Sequence, residues 1–182
     1  MNYTIYLVPE TRIEDPRQAR IAIVQHLKAS GIIDEEPSPF YEDSEGASEC
    51  YGAGSNDLIA FDIDEKQVDI GFEDCVIYGD PRPTVVPQEP ASQPACPACG
   101  RDLWNSYDDF INSTDDVTAP LACDQCGKQF RIDALDDPSG IFITTLFISF
   151  ETMGFSHVKA AWLQQFNELM GIRFKAVEYS AT

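Results

Sequence analysis

Four cysteines stand in two pairs of equal spacing, Cys96-Pro-Ala-Cys99-Gly100 and Cys123-Asp-Gln-Cys126-Gly127, with 23 residues between Cys99 and Cys123. Each Cys-x-x-Cys-Gly is a tight turn that aims two sulfurs at one point. The glycine that follows permits a positive φ and lets backbone N–H groups approach the sulfurs. Two such turns supply four thiolates, the tetrahedral donor set that zinc prefers. The expectation is one structural Zn2+ per chain, held by Cys96, Cys99, Cys123 and Cys126. Four cysteines close the coordination sphere, whereas a catalytic ion needs an open position.

These residues resemble a zinc ribbon and, more loosely, rubredoxin-like knuckles. The resemblance covers about residues 94–132 and implies that the four cysteines are the metal ligands. Iron in a rubredoxin-like site, with electron transfer as its implied role, is the competing assignment. The second pair, however, has no proline after its first cysteine, and no redox-cofactor motif accompanies it. Disulfides are disfavoured in a cytoplasmic chain. So short a segment lacks a core of its own and depends on the ion. Trp104, Tyr107, Phe110 and Phe130 are expected to supply a small satellite core.

The remaining reactive side chains form no catalytic constellation. His26 and His157 are the two histidines, and each is expected to be an ordinary helix residue. Cys75 reads as a core thiol on a strand and Cys50 as a loop thiol. Neither has a basic neighbour to lower its pKa, so both read as inert. Asp62, Asp64, Glu65 and Asp69 cluster, but a calcium loop opening at Asp62 would need glycine at its sixth position, where Gln67 stands. An acidic solvated face is the expected reading. Gly52-Ala-Gly54 lacks the third glycine and the lysine of a phosphate loop.

The elements that must position the cysteines are legible in outline. Asn2 to Val8 is a β-rich run closed by Pro9. Asp15-Pro16 is an N-cap and first-turn pair that opens a helix, which Gly31 stops after about Ala29. Ile21, Ile23, Val24 and Leu27 mark its apolar face. Asp34 to Ser55 reads as a long loop. Leu58 to Ile63 reads as a further edge strand or a short helix, and Val68 to Tyr78 as a half-buried strand. Six prolines between 81 and 97 mark a stiff, extended linker. After the turn-rich 136–140 come a strand from Ile141 to Phe150, a helix from about His157 to Met170 capped by Ser156, and a strand from Ile172 to Tyr179. Without the insertion the order is β-α-β-β-α-β, which predicts an α+β, ferredoxin-like core. The expected domains are 1–80 with 133–182 as core, 81–95 as Pro-rich linker and 96–132 as zinc-ribbon insertion.

Composition limits the partners. The 182 residues carry 31 Asp and Glu against 12 Lys and Arg, a net charge of −19. Residues 32–80 hold fifteen of the acids and one base, Lys66. Nucleic-acid binding exchanges counterions for Lys and Arg. The cysteine module offers Arg101, Lys128 and Arg131 against six aspartates between Cys96 and Arg131, which argues against a nucleic-acid reader. The longest apolar run is too short to span a membrane, and the first residues lack a basic n-region and a long apolar h-region, so a cytoplasmic location is expected. The function expected from these features is a non-enzymatic, zinc-binding interaction protein that docks a basic protein partner. An acidic inhibitor of the immunity-protein kind, or an adaptor, has this character. The alternative is a zinc-ribbon accessory factor in transcription or RNA handling, with Arg12, Arg17, Arg20 and Lys28 as its basic surface.

Overall fold

The computed structural model describes residues 2–41, 43, 45–63, 71–86, 95–103, 105–106, 109, 113, 119–131, 142–153 and 156–180. The chain divides into two compact units, Met1–Asp80 with Leu146–Thr182, and Pro81–Thr145. Among the described residues the fold is mixed α/β, with a mostly antiparallel sheet and two helices.

The first unit is built on strand β1 (Asn2–Pro9) and helix α1 (Pro16–Ala29). The Asp15 carboxylate accepts the Gln18 N–H at 3.0 Å, and Pro16 occupies the first turn, where its missing N–H costs nothing. At the other end Gly31 takes φ 71°, and the Ile32 N–H returns to the Leu27 carbonyl at 2.9 Å. Ile23, Val24 and Leu27 are buried, but Ile21 is not. At 100° per residue Ile21 lies about 110° from the centre of that stripe, which is why it falls off the apolar face.

Five strands form the main sheet in the order β2-β4-β7-β1-β9, with β2 at Ser48–Gly52, β4 at Asp74–Val86, β7 at Phe142–Met153 and β9 at Phe174–Ser180. Strand β1 pairs antiparallel with β7 and with β9, so that Ile5 faces Phe150 on one side and Glu178 on the other. Its run Ile5-Tyr6-Leu7-Val8 is buried on both faces, as a central strand requires. The acidic stretch read as loop contains β2, which pairs with β4 in register Cys50↔Val76. Strand β4 continues through Pro81 and Pro83 to Val86, where the prolines read as the start of a linker. Residues 64–70, 87–94 and 132–141 lie outside the described residues, and with them parts of the expected strands, linker and exit turn.

Between β2 and β4 the chain makes a 3-10 turn, Asp57–Ile59, and then β3, Phe61–Ile63. Both forms expected for this stretch therefore occur, one after the other. Asp57, buried, accepts N–H bonds from Leu58 and Gly71. Strand β3 pairs with β8 (Ser156–Val158), Ile63 facing Ser156. This corrects the expected start of the second helix. Ser156 is a strand residue, and helix α2 spans Ala160–Met170, with Lys159 at its N-cap and no side-chain cap. Gly171 closes it at φ 64°. Trp162 stacks on Phe166 with centroids 4.9 Å apart, and Phe166 meets Phe174 at 5.6 Å. Phe61, Phe72 and Phe150 pack at 5.0–5.4 Å and tie the 3-10 region to the sheet.

The second unit contains the hairpin of β5 (Pro120–Ala122) and β6 (Gln129–Arg131), and the isolated bridge Ala95↔Asp102. Its described core is small: Cys96, Leu103 and Cys123, with Leu121, Phe130 and Ile143 against them. Phe130 joins it as expected, while Trp104, Tyr107 and Phe110 lie outside the described residues. No helix among the described residues is long and apolar enough to cross a membrane.

Candidate metal centre

Each cysteine pair sits in the same local structure. In the first, the Gly100 N–H donates to the Cys96 carbonyl at 2.8 Å and the Cys96 N–H to the Arg101 carbonyl at 2.7 Å. In the second, the Gly127 N–H donates to Cys123 and the Cys123 N–H to Lys128, both at 2.9 Å. The residue before each first cysteine pairs across to the third residue after the second: Ala95↔Asp102 and Ala122↔Gln129. The two turns are thus equivalent position by position, a consequence of identical Cys-x-x-Cys-Gly spacing.

The turns bring all four sulfurs within 4.8 Å of one another. Two contacts cross between them: Cys96 Sγ to Cys126 Sγ at 3.8 Å and Cys99 Sγ to Cys123 Sγ at 3.7 Å. A disulfide brings its sulfurs to about 2.0 Å, and all six cysteines of the chain are free thiols. Sulfurs about 2.3 Å from a tetrahedral ion stand about 3.8 Å apart by simple geometry. The four cysteines therefore have the spacing of a closed metal-ion site. Cys96 and Cys123 are buried and Cys99 and Cys126 exposed, one of each from either turn.

The electrostatics point the same way. Burial opposes ionisation of Cys96, but N–H groups of Ala98 and Cys99 and the neighbouring thiols bring it down to about 7. The Arg101 N–H favours a Cys99 thiolate, yet burial and the other three sulfurs push that thiol up to about 12. Without a cation, one thiolate suppresses the next. A divalent ion removes the conflict by stabilising all four. Arg101 and Asp124, one from each turn, form an exposed ion pair at 3.7 Å across the site. Sequence reasoning missed this pair; its only signal is a base after one Cys-x-x-Cys-Gly and an acid inside the other. Exposed pairs of this kind contribute at most about 1 kcal/mol.

The other described candidate residues belong to the first unit. His26 packs against Phe166 at 5.7 Å, and burial lowers its pKa. His157 pairs with Glu178 at 2.7 Å on the surface. Cys75 is fully buried, and burial raises its thiol well above the usual range. Cys50 lies on β2 rather than in a loop, and burial and Asp74 push it up to about 11. Asp62 faces solvent beside Lys159 at 3.9 Å, and Asp64, Glu65 and Asp69 lie outside the described residues. Comparison with protein-family models, with curated proteins and with solved structures finds no match to this chain.

Proposed function

We propose that this protein is a non-enzymatic, zinc-binding interaction protein that docks a basic protein partner, as an acidic inhibitor or adaptor does. The observation that carries the zinc assignment is the mutual spacing of Cys96, Cys99, Cys123 and Cys126, with contacts of 3.7 and 3.8 Å between turns. An all-thiolate set suits zinc or iron; the lack of any redox-cofactor motif favours zinc. A segment as short as 96–132 needs an ion to fold, so the metal's role is structural. We read residues 96–132 as a zinc ribbon inserted in a ferredoxin-like core of 1–80 and 133–182, reached through 81–95. The strand order β4-β7-β1-β9, with a helix after β1 and another before β9, supports that core.

The basic partner rests on charge. Beyond the net −19, several of the few bases are used internally. Arg17 donates to buried Asp80 at 2.8 and 3.1 Å. Arg20 lies 3.6 Å from Glu49 and donates to the Gly46 carbonyl at 2.7 Å. Lys28 sits over the Tyr51 ring at 4.7 Å. Three of the four bases that the transcription or RNA accessory reading would draw on are thus engaged within the chain, which favours the basic-partner reading. A cytoplasmic setting agrees with free thiols.

Elemental analysis of the purified chain tests the metal: one zinc per chain is expected, and Cys96→Ser should lose it. Iron, with its visible thiolate absorption, or unchanged metal in the mutant, would overturn the assignment. A pull-down at low and moderate salt tests the partner. Recovery of nucleic acid in place of a basic protein would reverse the second half of the reading.

A further inference from the structure

Phe40 is 95% exposed, the most exposed large apolar side chain among the described residues. Single exposed apolar residues are ordinary. What distinguishes Phe40 is the rigidity of the backbone beneath it. Pro37 and Pro39 fix φ on either side of Ser38. The Tyr41 N–H donates to the Ser38 carbonyl at 3.3 Å, making Ser38–Tyr41 a β-turn with proline second and Phe40 third. The Ser38 N–H donates to the Cys50 carbonyl at 2.8 Å, tying the turn to β2.

The downstream side is fastened as well. Tyr41 Oη and Ser48 Oγ share a hydrogen bond of 2.7 Å. The Asp43 carboxylate accepts the N–H groups of Glu45 at 2.9 Å and Ser48 at 2.7 Å, and the Ser48 hydroxyl at 2.7 Å. Arg20 Nη1 reaches the Gly46 carbonyl from α1. Along the chain the aromatic is flanked by exposed Asp34, Glu35 and Glu36 on one side and exposed Glu45 on the other. No Lys or Arg occurs between Lys28 and Lys66.

We propose that Phe40 is the anchor of the docking surface, entering an apolar cavity rimmed by Lys and Arg on a basic protein partner. This rests on the basic-partner reading above. Aromatic anchors in desolvated pockets carry most of an interface's binding free energy. A ring on a pre-ordered turn loses little freedom on binding. The flanking carboxylates set orientation and speed encounter.

The test uses the full chain. Phe40→p-benzoylphenylalanine is photo-crosslinked in lysate of the source cells, the adduct is identified by mass spectrometry, and that protein is then purified. Its affinity is measured for wild type, Phe40→Ala and Glu35→Lys/Glu36→Lys. The expected result is a basic protein, bound about thirtyfold more weakly by Phe40→Ala and with a shallower salt dependence by the charge-reversed chain. Melting of Phe40→Ala should match wild type, since the ring has little contact to lose. A basic partner that binds Phe40→Ala as well as wild type overturns the anchor and leaves the acidic docking reading standing. A partner that is not basic overturns both. Absence of any adduct at position 40 overturns the anchor.

Discussion

Gly100 and Gly127 occupy the same place in two turns 27 residues apart, at φ 73° and 69°, and each N–H closes on the carbonyl of its own turn's first cysteine. That bond needs the left-handed backbone. It also folds the turn so that both of its sulfurs face the same point. The glycine is therefore part of the candidate metal site, although it supplies no ligand.

Gly100→Ala and Gly127→Ala should each weaken metal binding. A Cβ at either position meets nothing within 4 Å, so the cost is conformational alone. A non-glycine residue in this region costs about 1–2 kcal/mol, or about 5- to 30-fold in affinity. Competition with a chromogenic zinc chelator would measure it. Equal losses at the two positions would confirm that the turns are equivalent. A loss at one position only would mean that the other can reach its geometry without glycine.

The site was legible because its geometry is local. Cys-x-x-Cys-Gly specifies a turn within five residues, and both ends of α1 are likewise written in adjacent residues, Asp15-Pro16 and Gly31. What was not legible depends on distant partners. Ser156 has the look of a helix cap, yet it pairs with Ile63, 93 positions away, and the pairing holds it extended. Pro81 and Pro83 look like linker residues. Proline donates no ladder bond but fits an extended backbone, and β4 runs through both. Cys50 sits in a stretch whose composition is that of a loop, and its pairing with Val76 makes it a strand residue.

Chelation should unfold the cysteine module first. With the ion removed, repulsion among thiolates opposes the closed arrangement, and so short a segment depends on its ion. Hydrogen exchange before and after treatment with a strong chelator is the measurement. Amides of Cys96, Gly100, Cys123 and Gly127 should lose protection, while those of β1 and α1 keep theirs. Protection unchanged at the four knuckle amides would show that the turns hold without metal.

Arg17→Ala should destabilise the first unit by about 1–2 kcal/mol. Asp80 is 2% exposed and would lose two charged donors. The value is set low because the Arg17 side chain is 64% exposed and its charge is screened. Arg17→Lys should recover part of the loss, since an ammonium offers a point charge but no planar fork. Urea unfolding of the three chains would rank them. Equal midpoints would mean that Asp80 is held by its other contacts.

Cys50 predicts how stability depends on alkaline pH. Its thiol donates to Asp74 Oδ1 at 3.8 Å, and burial followed by that carboxylate raises it to about 11 from an ordinary value near 9. Below pH 9 the folded and unfolded chains both keep this proton, and the favourable term is fully present. Between pH 9 and 11 the unfolded thiol releases it while the folded one retains it, so the unfolded state gains and stability falls. Urea midpoints at pH 8 and pH 10.5 should therefore drop, and the drop should be smaller in Cys50→Ala. The same raised thiol predicts alkylation that is slow at pH 8 and quickens about tenfold per pH unit, as the thiolate fraction grows. Rapid alkylation of Cys50 at pH 8 in the folded chain would contradict both expectations, because it would require a thiolate that burial and Asp74 disfavour.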